Sequence, residues 1–172
     1  MFELKFDRKE IQYWSGRYPL AYDNRVENVI SPKVRERGYF TKPELLALCR
    51  WKTPRSKPLI ESNPKEFIKD VTHTALSTPH ERLRIEVLTL LRGVSWPTAS
   101  VLLHFGHSNP YPILDYRALW SLGVEKPQDS YDFDFWWDYT KFCRRLAAKT
   151  GLNMRELDRA LWQYSKENQP RE

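Results

Sequence analysis

The stretch LTLLRGVSWPTASVLL, residues 88–103, followed shortly by PILDYR, residues 112–117, decides how this chain is read. Leu88, Leu91, Val94, Leu102 and Leu103 are spaced to pack one amphipathic helix against a second that begins at about Trp96. Between them, Leu91-Arg92-Gly93-Val94 makes a tight hairpin. Gly93 lets the chain reverse where a side chain would clash or φ must turn positive. The helix N-terminus that follows presents backbone N–H groups without intrahelical partners, an arrangement that holds a phosphate. A lone acid, Asp115, then sits in a Pro-bounded turn just after the pair.

Outward from this stretch, helix signals recur and strand signals barely appear. Asp7-Arg-Lys-Glu10 starts a first helix expected to end near Tyr18-Pro19. Residues 23–40 hold a further short helix, with Ser31-Pro32 as the expected break. Thr41-Lys-Pro-Glu44 reads as a capping box opening a helix through about Trp51. The linker from Thr53 to Pro58 cannot be helical throughout. Asn63-Pro64 starts another helix with Phe67, Ile68, Val71 and Ala75 on one face, and Thr78-Pro-His-Glu81 starts the one that runs into the hairpin. Asp115 opens a helix ending at Leu122-Gly123. Asp132 begins a long one to Thr150, stopped by Gly151, and Asn153-Met-Arg-Glu156 caps the last. The expectation is an all-α protein, one compact helical domain over 1–172, with the hairpin at 88–105, the Asp segment at 112–122 and a disordered tail at 167–172.

Length and composition fit that expectation. A chain of 172 residues is long enough for one domain with a real core. No apolar run approaches the length of a membrane span, and no charged-then-apolar leader opens the chain, so a soluble cytoplasmic protein is expected. Cys49 and Cys143 are too few for a disulfide framework or a four-thiolate cluster and read as buried free thiols. The net charge is +6. Residues 41–60 concentrate it, with Lys42, Arg50, Lys52, Arg55 and Lys57 against Glu44, while Asp129, Asp132, Asp134 and Asp138 form an acidic patch elsewhere. Such a basic cluster suits a polyanion, because it supplies phosphate affinity that is independent of sequence.

The residues of the deciding stretch carry a resemblance. Leu91-x-Gly93-Val94-x-x-x-Thr98-Ala99 is similar to the helix-hairpin-helix of the endonuclease III-like DNA base-excision glycosylases. Pro112-Ile-Leu-Asp115 resembles the hydrophobic-Asp segment of that superfamily, at a similar interval from the hairpin. The resemblance implies a helix-hairpin-helix DNA-glycosylase-like fold, a DNA partner held as duplex through its phosphate backbone, and hydrolysis of the N-glycosidic bond of a flipped base. Asp115 is then the catalytic residue, a carboxylate that stays anionic while the sugar becomes cationic. Leu91, Arg92, Gly93, Val94, Ser95, Trp96 and Thr98 are the implied DNA-binding residues of the hairpin. Bifunctional members carry a Schiff-base Lys in the second hairpin helix. Pro97 stands at that position, which implies a monofunctional glycosylase without lyase chemistry. Ser95 stands where the family often has a second Gly, and Ser there is able to cap the following helix. The family's iron–sulfur loop is missing, so no cluster is expected, although the family's hairpin can bind a monovalent cation through backbone carbonyls.

Each candidate has a plainer reading beside it. Asp115 is either the catalytic acid or only the N-cap of the helix that follows. Lys52 and Arg55 either contact phosphate or belong to a solvated linker. Arg117 either holds a phosphate or pairs with Asp115, and Trp96 either presses on the sugar or covers the hairpin. Trp51, Tyr116, Trp120, Trp136 and Trp137 either line a base pocket by stacking or pack a core, which their helical spacing among Leu and Phe also suits. The four histidines, His73, His80, His104 and His107, show no metal-ligand pattern, so no metal is expected. A non-catalytic DNA-binding module and a helical protein–protein adaptor are the two rivals. Protein partners cannot be read from the residues.

Overall fold

The structure is a computed structural model that describes residues 2–125 and 130–170, with only the backbone described at Tyr22. Its α-helices are α1 (Ile11–Gly16), α2 (Ser31–Arg37), α3 (Lys42–Lys52), α4 (Lys57–Glu61), α5 (Lys65–Ser77), α6 (Glu81–Glu86), α7 (Trp96–Gly106), α8 (Tyr116–Ser121), α9 (Phe133–Thr150) and α10 (Met154–Asn168). Short 3-10 turns occupy Arg8–Glu10, Leu20–Tyr22, Pro54–Ser56 and Val87–Leu90, and a π turn spans Val26–Ile30. The protein is all-α, with no strand among the described residues. Of the expected acidic patch, Asp129 lies outside the described residues. No helix described here is long and apolar enough to cross a membrane.

The fold divides into two compact units. Met1–Pro19 and Pro110–Glu172 form a terminal unit, and Leu20–Asn109 a central one. The central unit is organised by α7, whose residues from Thr98 to Gly106 are all buried. This helix is apolar around most of its circumference, which suits an element enclosed by neighbours rather than one lying at a surface. It packs against α2, α3, α5 and α6. Leu45 and Leu48 of α3, Ile68 and Val71 of α5, and Ile85 of α6 supply the surrounding apolar surface. Each such side chain, removed from water, stabilises the unit by about 1.5–3 kcal/mol before the cost of ordering it. Arg84, 5% exposed, sits at the α5–α6 junction. There it donates to the carbonyls of Ala75 and Thr78 and pairs with Glu81, so its burial leaves no charge uncompensated.

Four local expectations are corrected here. The first helix begins as a 3-10 turn and ends at Gly16, short of Tyr18. Ser31-Pro32 is not a break: the π turn runs straight into α2, with Pro32 in its first turn. The Ser31 N–H donates to Val26 O, five residues back, so the helical ladder has already widened where Pro32 lacks a donor. The helix leading to Leu91 tightens to 3-10 geometry over Val87–Leu90, which keeps Leu88 and Leu91 buried. Ser95 occupies the N-cap position of α7 but makes no side-chain cap bond.

In the terminal unit, α10 packs against α1, α8 and α9. The α9 residues Trp136, Tyr139, Thr140, Cys143, Leu146 and Ala147 make the helical stripe that is buried, and Leu157, Ala160 and Leu161 do the same on α10. Both helices are capped as expected. Asp132 accepts from Phe135 N at 2.9 Å, Asn153 accepts from Glu156 N at 2.9 Å, and Gly151 closes α9 in the left-handed conformation. The N-terminal segment is tied to the end of α8 by Glu3 N to Leu122 O and Lys5 N to Ser121 O, each 3.0 Å. Glu167 and Asn168, placed in the expected tail, are helical, and Arg17 donates from Nε and Nη2 to the two Glu167 oxygens at 2.9 Å. Residues 171 and 172 lie outside the described range.

Candidate functional site

The turn at 91–94 is built from below by α4 and the loop after it. Gly93 has a φ of +82°. A Cβ there would lie 2.9 Å from Ile60 Cγ1, 3.0 Å from Leu59 Cβ and 3.2 Å from the Ser56 carbonyl oxygen. Backbone conformation and lack of space therefore both demand glycine. Val94 N closes the turn on Leu91 O at 3.1 Å. The residue that sequence reasoning missed is Asn63, which is 1% exposed. Its Oδ1 accepts from Arg92 N at 2.9 Å, and its Nδ2 donates to Arg92 O at 3.0 Å and to Ile60 O at 3.0 Å. One buried amide thus clamps both polar groups of the Arg92 peptide. The Asn-Pro dipeptide signalled only a helix start, and α5 in fact begins at Lys65 with Pro64 as its N-cap.

Beyond the turn, the first-turn amides of Trp96 and Thr98 receive no side-chain cap from Ser95, and Pro97 has no N–H. Arg92 and Ser95 are exposed, Trp96 is half-buried, and Leu91, Val94 and Thr98 are buried. The implied DNA-binding set therefore splits. Arg92 and Ser95 face solvent, with the half-buried Trp96 beside them, while Leu91, Val94 and Thr98 anchor the turn in the core. Lys52 is half-buried at the end of α3, and Arg55 is exposed in the 3-10 turn that follows. Trp51 lies within the central unit, donating from Nε1 to Asp23 at 2.9 Å and meeting Phe105 edge to face at 5.5 Å.

Asp115 belongs to the terminal unit, where α9 holds the segment leading to it. Tyr111, Pro112, Ile113 and Leu114 are buried and non-helical, so their backbone groups need partners from elsewhere. The Tyr139 hydroxyl donates to Ile113 O at 2.8 Å. Arg144 donates from Nε to Pro110 O at 2.8 Å and lies over the Tyr111 ring at 4.6 Å. Tyr111 itself stacks on Trp136, with centroids 5.8 Å apart and planes 10° from parallel. Asp115 then emerges half-buried as the N-cap of α8, its Oδ1 accepting from Arg117 N at 2.9 Å. Only the carboxyl type and the Pro-bounded turn were visible in the sequence. The props Tyr139 and Arg144 lie 24 and more residues downstream and carried no signal of their role.

Tyr139 is buried, and its hydroxyl is held well above the ordinary phenol range, first by burial and then by Cys143, Asp158 and Asp115. It is therefore a neutral donor at any physiological pH. Tyr139→Phe leaves the buried Ile113 carbonyl without its donor and is expected to cost about 1–3 kcal/mol, read as a lower urea midpoint with unchanged m.

The remaining residues of α8 are placed as follows. Tyr116 is 47% exposed. The Arg117 guanidinium lies over the rings of Tyr116 and Trp162, at 5.1 and 5.5 Å. Trp120 is half-buried, stacked on Tyr164 at 5.9 Å and covered by the Lys5 ammonium at 3.8 Å. Of the three pocket candidates Tyr116 is thus the exposed one, with the Arg117 guanidinium over its ring, while Trp51 and Trp120 are half-buried. Among the described residues, no three His, Cys, Asp or Glu side chains gather in a way that would hold a metal ion.

Both cysteines are free and buried. Burial pushes the Cys49 thiol from its ordinary 9.0 up to about 12, and Cys143 well up also. Neither is a thiolate at neutral pH, so neither is a nucleophile. The native protein is expected to resist a thiol reagent at pH 8 and to react at both positions in urea. In the unfolded chain these thiols ionise near 9.0. The stability they contribute is therefore complete below that pH and is lost as pH rises towards 12. No protein-family model, no curated protein and no solved structure matches this chain.

Proposed function

We propose that this protein is a DNA base-excision glycosylase of the helix-hairpin-helix kind, acting in the cytoplasm on a damaged or mismatched base flipped from the duplex. The observation that carries the reading is the placement of Asp115. It is a half-buried carboxylate at the head of α8, oriented by the Arg117 N–H and preceded by a backbone segment that α9 fixes at two points. A carboxylate held in this way stabilises positive charge on the deoxyribose C1′ as the glycosidic C–N bond lengthens. The base departs with the bonding electron pair and takes up a proton. Water adds its oxygen to C1′ and loses a proton, leaving an abasic site. The clamped turn at 91–94 and the uncapped first turn of α7 serve as the phosphate contact. Pro97 offers no amine, so strand cleavage is not part of the reaction.

The cap bond from Asp115 to Arg117 N favours one second reading, a non-catalytic DNA-binding module in which Asp115 is only a helix cap. The deciding experiment is base release from oligonucleotides carrying uracil, oxidised purines, alkylated bases or mismatches, with abasic sites revealed by alkali. Release that requires Asp115, with breaks appearing only after alkali, supports the glycosylase. Silence across the panel with DNA affinity intact supports the module. In either case affinity is expected to fall roughly 40- to 150-fold between about 50 and 200 mM salt, as for about three or four phosphate contacts. A salt-independent affinity, or none at low salt, would point instead to the adaptor.

A further inference from the structure

The central unit carries a cleft of about 910 Å³ along the outer side of α3. Neither the turn at 91–94 nor Asp115 takes part in it. Pro43, Leu46 and Ala47 fall at the first, fourth and fifth positions of a helical stripe and form an apolar strip in its lining. Leu46 and Ala47 remain half-exposed within it. Arg25, Arg50 and Lys69 also line the cleft, and all three are exposed. None of the three has an ion pair among the described residues, and Lys69 lies over the Tyr39 ring at 5.2 Å.

The charged groups that remain in the lining are already engaged. Lys42 donates to Glu61 O and Asn63 O at 2.5 and 3.0 Å. Glu61 pairs with Lys57 at 3.5 Å, and Glu66 with Lys65 at 3.9 Å. An apolar strip with three separate cations not engaged by carboxylates is complementary to an amphipathic anion. The carboxylates of Glu61 and Glu66 also line the cleft and oppose a continuous run of phosphates, whereas a peptide can place discrete acids beside the cations and apolar side chains on the strip.

We infer that this cleft docks an acidic, amphipathic segment of a partner protein, with apolar side chains against Leu46 and Ala47 and carboxylates at Arg25, Arg50 and Lys69. The inference is independent of any chemistry at Asp115. Its test is fluorescence anisotropy of the full chain with a labelled peptide of about a dozen residues, in which Leu and Phe alternate with Glu and Asp. The control peptide has every apolar residue replaced by Ser at equal charge. Arg50→Glu and Lys69→Glu alter exposed residues and are checked for unchanged thermal midpoints.

The expected result is binding of the apolar-acidic peptide at least roughly tenfold tighter than the Ser peptide, weakened about tenfold by either variant. Asp115→Asn and competing oligo-dT should leave that binding unchanged. Equal affinity for the two peptides overturns the inference, because charge alone then accounts for it. Displacement by oligo-dT, with oligo-dT affinity lost in Arg50→Glu, also overturns it and makes the cleft a nucleic-acid groove. Absence of peptide binding at low salt overturns it outright.

Discussion

Gly93→Ala is expected to lower the unfolding free energy by about 3 kcal/mol and to weaken DNA binding with it. Two costs add. An L-residue held at a φ of +82° carries strain of about 1–2 kcal/mol. The new methyl group would also sit 2.9 Å from Ile60 Cγ1, closer than side chains tolerate, and 3.2 Å from the Ser56 carbonyl, which would have to give by a few tenths of an ångström, and such overpacking costs typically about 1–3 kcal/mol. Part of that neighbourhood is backbone, so it cannot relax by choosing another rotamer. Gly151→Ala is the internal control. Gly151 has a φ of +70° and nothing within 4 Å of an added Cβ, so only the strain applies there, about 1–2 kcal/mol. Urea unfolding of the two variants separates the terms. If Gly93→Ala costs no more than Gly151→Ala, the packing of the turn against α4 is not the constraint described above.

Asp115→Asn is expected to reduce base release by about a hundred- to thousandfold, the loss typical when a preorganised electrostatic contact to the transition state is removed. The substitution is a clean probe because Asn caps a helix about as well as Asp. The bond to Arg117 N survives, and stability should change by less than about 0.5 kcal/mol. What is removed is the negative charge, which the proposed reaction requires and the cap does not. Duplex affinity at matched salt is expected to stay the same within about twofold, since the proposed phosphate contact is made by the turn at 91–94 and α7 rather than by Asp115. A variant that releases base as fast as the native protein would leave Asp115 with its cap alone. Asp115→Ala serves as the complement, costing about 1 kcal/mol of stability through the lost cap.

The sequence by itself determined the helical class and much of the element order. The spacing of Trp136, Tyr139, Cys143 and Leu146, and of Leu157, Ala160 and Leu161, specifies which face of α9 and α10 is buried. Asp132, Asn153 and Gly151 mark where those helices begin and end. These are local facts, because a helix closes its hydrogen bonds within four residues and a cap reaches only three, so the chain's own order carries them. For the same reason Gly93 was recognisable as a reversal and Asp115 as the start of a helix.

Only the tertiary structure decided what holds those two positions in place. Asn63 reads as an ordinary helix start, and its amide instead clamps a peptide 29 residues away. Tyr139 reads as one more aromatic in an amphipathic helix, yet its hydroxyl supplies the donor that the buried carbonyl before Asp115 needs. Ser95 reads as a cap and makes no cap bond. Ser31-Pro32 reads as a break and is passed by a π turn. The outcomes at Asn63 and Tyr139 depend on polar groups left without water by the packing of distant segments. The partner that satisfies such a group is set by where the folded chain brings its donors and acceptors, which the order of residues along one helix does not contain.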